Sequence, residues 1–235
     1  MYQNPVFKNT LLSRRGLNLQ AVFNISELPA EIVEVLALEC KSLTDFRQLI
    51  LLGHGGGTLW ESLKQEKFQS ENPIDDFTLK LIKTHFSENG AGSCHHILYP
   101  GDSGVGLQRL GKLAGWHNSS PFMVGINQTW GSWYAYRAFL LTDTDFPVTT
   151  PIQNESPCHR CEHKVCFSHC PGMAVQEEGF SLQKCIDYRK QDSSQCKTQC
   201  LARSSCPVAA EQRYTDEQIQ YHYTQSMKTI EQFYC

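Results

Sequence analysis

The residues best equipped for chemistry are cysteines. The 235-residue chain has eleven, unevenly spread: Cys40 and Cys94 lie in residues 1–157, and the other nine lie in the last 78. Thiolates gathered in fours bind zinc or iron, whereas disulfides persist in oxidising compartments. Met1–Leu12 has no apolar core behind a basic patch, so no secretion signal is read and the expected location is cytoplasmic. In a reducing compartment such crowding reads first as metal or iron–sulfur ligation. Zinc, with His159, His163 and His169 as further ligands, is an alternative, as are disulfides or packed turns without metal.

Spacing narrows the choice. Cys158, Cys161, Cys166, Cys170 and Pro171 read C-x2-C-x4-C-x3-C-P, and Cys185, Cys196, Cys200, Cys206 and Pro207 follow with gaps of ten, three and five. The first run resembles the bacterial ferredoxin pattern C-x2-C-x2-C-x3-C-P, with its middle gap two residues longer. In that pattern the cysteine before proline ligates the other cluster of a pair. The resemblance implies Cys158, Cys161, Cys166 and Cys206 on one [4Fe–4S] cluster. It implies Cys170, Cys185, Cys196 and Cys200 on the other, and leaves Cys235 spare. Zinc sites have no need of the recurring Cys-Pro ending.

Other candidates lie in the cysteine-poor part. Gly53-His54-Gly55-Gly56-Gly57 follows the apolar run Leu49–Leu52. Its backbone N–H groups suit a phosphate or cofactor side chain, and equally a tight turn. His54, Gly55 and Gly56 are the candidate contacts. Trp116, Trp130, Trp133, Tyr134 and Tyr136 are close in sequence. Trp116 and Trp133 are candidates to flank a flat cofactor, with ordinary core packing as the competing reading.

The elements that must position these groups follow from periodicity. Helices are expected from Glu27, capped by Ser26, towards Cys40, and over 58–68, 74–86, 105–113 and 216–233. Strands are expected at 49–52, 94–99, 122–126 and 133–141, the last two as a hairpin around Gly131-Ser132. Prolines 147, 151 and 157 mark an extended connector near residue 150. The expected division is an α/β cofactor and substrate domain over 1–150, a cysteine-rich domain over 151–210 and a C-terminal helix over 211–235. Hydrophobic residues at 40% and charged residues at 19% exclude a disordered chain. No apolar run spans a membrane, and a net charge of −3 disfavours phosphate-driven nucleic-acid binding.

Short motifs then fall in a telling order. Asp102-Ser103-Gly104, Leu107-Gln108-Arg109, Ala114-Gly115-Trp116, Gly131-Ser132-Trp133 and Leu141-Thr142-Asp143 precede the cysteine run. Over about residues 95–210 this order resembles the epoxyqueuosine reductase family. The resemblance implies an α+β chain: a nitroreductase-like cobalamin-binding α/β domain followed by a ferredoxin-like domain. It implies an oxidoreductase in which two [4Fe–4S] clusters feed electrons to a cobalamin, and it makes Asp102 the proton donor. Read alone, Asp102 is a helix cap near Val105. The family's Gly-Trp-Ile-Gly-Lys-Asn is here Gly115-Trp116-His117-Asn118. Expected partners are a small-molecule or modified-nucleoside substrate and an external electron donor, with neither tRNA nor membrane. The alternatives are a ferredoxin-like electron carrier without enzymatic activity and a zinc-stabilised interaction protein.

Overall fold

The computed structural model of the chain describes residues 2–88, 94–153 and 155–234. Cys235, expected as the spare cysteine, lies outside them. Two compact units form: one from residues 1–117 and 134–153, the other from 118–133 and 154–235. The tryptophan-bearing segment 118–133 thus belongs with the cysteine-rich part, which cysteine counting does not reveal.

In the first unit, α1 (Leu11–Arg14) leads to β1 (Leu19–Asn24), α2 (Ala30–Glu39), β2 (Gln48–Gly55), α3 (Thr58–Gln65), α4 (Pro73–Glu88), β3 (His95–Tyr99) and α5 (Leu107–Leu113). After β4 (Asn118–Ser119) and β5 (Gly125–Ile126) of the second unit, β6 (Tyr134–Thr142) returns to the first. The sheet order is β1-β2-β6-β3, and all three pairings are antiparallel. This is an α+β arrangement, because a parallel βαβ crossover is absent from the sheet.

Burial explains the choice of elements. Every residue of β2 is buried, with Leu49, Ile50, Leu51 and Leu52 fully so. α3 and α4 pack on β2 and β6 respectively. β1 escapes sequence reading because Gln20 breaks its apolar run. Gln20 is nevertheless fully buried, with its amide donating to the Leu17 carbonyl.

Three local expectations are corrected. The helix expected from Glu27 begins at Ala30, because Ile25–Glu27 forms a 3-10 turn and Pro29 becomes the N-cap. β2 does not stop at Gly53 but runs on to Gly55. Residues 122–126 and 133–141 do not pair as a hairpin: β5 pairs with β4, while β6 lies between β2 and β3. The C-terminal helix α9 spans Asp216–Phe233, and the Thr215 side chain accepts the Gln218 N–H at its start.

Close approach makes one glycine indispensable. Gly115 has φ +73°, and a Cβ there would meet the Ile152 backbone at 2.0–2.7 Å. Gly115→Ala should therefore destabilise the protein by about 1–3 kcal/mol, read as a lower urea midpoint. Glu34→Ala, on the exposed face of α2, should shift stability by less than about 0.5 kcal/mol.

Candidate iron–sulfur centres

The second unit contains a structural echo within its cysteine segment. α6 (Val165–Ser168) and α8 (Leu201–Ser204) are four-residue helices that pack together. Each is followed, after one residue, by Cys-Pro: Cys170-Pro171 and Cys206-Pro207. The third residue after each of these cysteines is left-handed, with φ +48° at both Met173 and Ala209. The echo also explains the uneven spacing. Cys166 is the second residue of α6, whereas Cys200 is the N-cap of α8. The helices match, and the cysteine has moved two residues.

The eight cysteines form two sets. Cys158, Cys161, Cys166 and Cys206 all line one cavity of about 270 Å³, together with Phe122, Val165, Phe167 and Val208. Thiolates at Cys158, Cys161 and Cys206 raise the pKa of Cys166, after burial, to about 11. In the second set, burial and then Cys200 push Cys185 up to about 11, opposed by Arg189 and reinforced by Cys170 and Cys196. Burial also raises Cys196, whose neighbours again include Cys200 and Cys170. Cys206 thus lines the cavity of the earlier half's cysteines, and Cys170 interacts with those of the later half.

Local structure prepares these sulfurs. Pro157 opens a 3-10 turn that ends in Cys161, and Ser156 Oγ accepts the Cys158 N–H at 3.3 Å. The Ala174 N–H donates to Cys170 Sγ at 3.3 Å, and backbone bonds reach Cys196 and Cys206 from Leu201 and Val208. Such donors favour thiolates, while burial opposes them. Cys166 and Cys206 share a core with Phe122, Ile126, Val175 and Ala202. This is why segment 118–133, which supplies Phe122 and Ile126, belongs to this unit.

Among the described residues, no three His, Cys, Asp or Glu side chains are placed to hold a metal ion. His159, His163 and His169 are exposed, and His169 Nδ1 lies 2.8 Å from the Val165 carbonyl oxygen. All ten described cysteines are free thiols.

The first unit places the other candidates differently. Asp102 is exposed in the loop before α5 and does not cap it; Gly106 is the N-cap, without a side-chain bond. Ser103 shapes that loop instead. Its Oγ donates to Glu39 at 2.6 Å and accepts the Val105 N–H at 3.2 Å. His54, Gly55 and Gly56 are buried. Gly55 exchanges backbone bonds with the Asn18 side chain at 2.8 and 3.0 Å, so its N–H is engaged. Gly53 answers to packing, since a Cβ there would sit 2.8 Å from the Ala135 carbonyl oxygen. Trp116 is fully buried and stacked on Tyr136 at 6.4 Å. Trp133, also fully buried, belongs to the second unit, where it packs edge-on against Tyr214 at 5.4 Å.

Sequence reading missed Arg189, Arg203 and Tyr223. Arg203 lies 4.4 Å over the Trp133 ring and donates to the Ser132 carbonyl at 2.5 Å. A signal for Arg189 existed: it is four residues after Cys185 on α7 (Leu182–Lys190), hence on the same face.

With this geometry in view, known proteins provide a frame. No protein-family profile and no curated protein sequence matches the chain. Its fold has solved counterparts. A selenomethionine-labelled epoxyqueuosine reductase superposes with a TM-score of 0.52 at 11% identity, covering 88% of this chain and 66% of that one. The epoxyqueuosine reductase from Streptococcus thermophilus gives 0.49 at 10% identity, covering 84% and 64%. A reductive dehalogenase whose structure suggests a mechanism for B12-dependent dehalogenation gives 0.47 at 15% identity, covering 79% and 29%. The chain spans about two thirds of the length of these epoxyqueuosine reductases. The likeness is one of fold: this α+β chain is similar to epoxyqueuosine reductase. No helix of the described residues is long and apolar enough to cross a membrane.

One titration follows from the first unit. His117 Nδ1 lies 3.3 Å from the Tyr136 hydroxyl. Burial, then the charge of Lys112, lowers the His117 pKa. The unfolded imidazole protonates at its ordinary pKa of about 6.5, the folded one only at lower pH, so protonation favours unfolding. This stability is present above that pH and is lost as pH falls through the folded value. The melting temperature should drop more between about pH 7.5 and 5.5 in the natural protein than in His117→Gln.

Proposed function

We propose that this chain is an iron–sulfur oxidoreductase of the epoxyqueuosine reductase type, passing single electrons through two [4Fe–4S] clusters. The cavity lined by Cys158, Cys161, Cys166 and Cys206 carries this reading. Those four residues would hold one cluster, and Cys170, Cys185, Cys196 and Cys200 the other. When bound, such clusters supply electrons one at a time at low potential. The chain's own part is to bind and insulate them. Phe122, Ile126 and Val175 keep water from the first site, and backbone N–H groups stabilise thiolate charge.

The electrons require an acceptor. The motif order favours a cobalamin, with Asp102 donating a proton to a small-molecule or modified-nucleoside substrate. The exposure of Asp102 suits contact with substrate. His54, Gly55, Gly56, Trp116 and Trp133, the candidate corrin contacts, are all buried. An electron carrier with an external donor and acceptor is the second reading, and the burial of those five residues favours it.

Anaerobic reconstitution should yield about eight irons and eight sulfides per chain. Cys206→Ala and Cys185→Ala should each lower the count towards four. Stoichiometric zinc without labile sulfide would overturn the cluster reading. A change in the visible spectrum of added cobalamin would select the cobalamin-linked enzyme, and an unchanged one the carrier. In the enzyme, Asp102→Asn should keep its clusters and lose turnover.

A further inference from the structure

The two cysteine sets differ in their charged surroundings. Around the first set, Lys164 and Glu177 line the cavity, Glu155, Arg160 and Glu162 line a neighbouring cavity with Cys161, and Arg213 acts on Cys206. All six are exposed, so water and salt screen them.

Around the second set lies a buried cation. Arg189 is 6% exposed. Its Nε donates to the Cys196 carbonyl at 3.0 Å, and its two terminal nitrogens donate to Ser226 Oγ at 3.0 Å and the Tyr223 carbonyl at 3.1 Å. Its hydrogen bonds are thus satisfied by neutral groups. No carboxylate pairs with it among the described residues. The sulfurs of Cys185 and Cys196 lie within reach of its charge, which opposes the rise that burial imposes on both thiols. A buried guanidinium without an opposing charge is costly. An anionic centre held by the second set removes that cost.

Two further groups act in the same direction. Arg203, half-buried on the Trp133 ring, interacts electrostatically with Cys200. Tyr223, whose ring lies 5.5 Å from the Arg189 guanidinium, interacts with Cys200 and Arg203. The reduced form of a cluster carries one more negative charge than the oxidised form. Buried cations and donors to sulfur therefore favour reduction and raise the potential.

We infer that Arg189, Arg203 and Tyr223 make the cluster on Cys170, Cys185, Cys196 and Cys200 the higher-potential member of the pair, so that an electron entering the module comes to rest there. This inference rests on the iron–sulfur reading. The step is outer-sphere: one electron reduces one cluster, and no bond forms or breaks. The three residues are positioning residues that act through the cluster.

Anaerobic titration of the reconstituted full chain with dithionite, followed by electron paramagnetic resonance, tests it. Two reduced-cluster signals with separate midpoints are expected. Tyr223→Phe and Arg189→Gln should each lower the higher midpoint and leave the lower one in place. Tyr223→Phe keeps the ring and its packing, so it serves should Arg189→Gln fail to fold. Cys206→Ala should perturb the lower-potential signal and Cys185→Ala the higher. Coincident midpoints, midpoints unmoved in Tyr223→Phe, or the reverse assignment would overturn the inference while the clusters stand. A protein that takes up no sulfide would overturn both readings, and the iron and sulfide count separates that case.

Discussion

The second unit is organised around an exchange. Cys206 comes from the later half of the cysteine segment and lies with Cys158, Cys161 and Cys166. Cys170 comes from the earlier half and lies with Cys185, Cys196 and Cys200. Each half gives three sulfurs to one set and one to the other, so the two halves depend on each other. Proline after each exchanged cysteine restrains the chain at the crossing, and a left-handed residue two positions beyond that proline redirects it. The packing of α6 against α8 is the structural consequence.

Gathering eight thiols conflicts with ordinary core formation. Burial raises the pKa of Cys158, Cys166, Cys185, Cys196 and Cys206, so the fold opposes the thiolates that a cluster requires. Backbone donors to Cys196 and Cys206 partly offset this, and metal binding would supply the rest, since ligation deprotonates the thiol. Two of the apolar residues packed around the first site, Phe122 and Ile126, come from the segment 118–133, which is remote in sequence. Arg203 fixes that segment through the Ser132 carbonyl and the Trp133 ring. One side chain thereby serves both the architecture of the unit and the electrostatics of its second cysteine set.

Much was legible where a single local rule dominates. The ferredoxin spacing and the repeated Cys-Pro ending single out eight of the eleven cysteines. The helix after Thr215 is signalled by its cap and its apolar periodicity, and the buried core of β2 by Leu49–Leu52. Legibility failed where packing overrode the local signal. Gln20 conceals β1, and the aromatic run at 133–141 suggests a hairpin partner that β6 does not use. The glycine run looks like a ligand cradle, yet Gly53 is required by the close carbonyl of Ala135 and the Gly55 N–H is taken by Asn18. Trp116 and Trp133 belong to different units, although fewer than twenty residues separate them.

By itself the sequence determined the chemistry on offer: eight thiols in a ferredoxin-like order, two Cys-Pro turns, and an apolar cysteine-poor part able to form a sheet. Cysteine chemistry and proline geometry are properties of residues and their immediate neighbours, so spacing alone expresses them. Only the tertiary structure decided which segment seals the first cysteine set, which aromatic rings become core, and which arginine is buried beside the second set. Those outcomes depend on contacts between residues far apart in the chain. Burial and electrostatic screening belong to the folded surface, and no local pattern carries them.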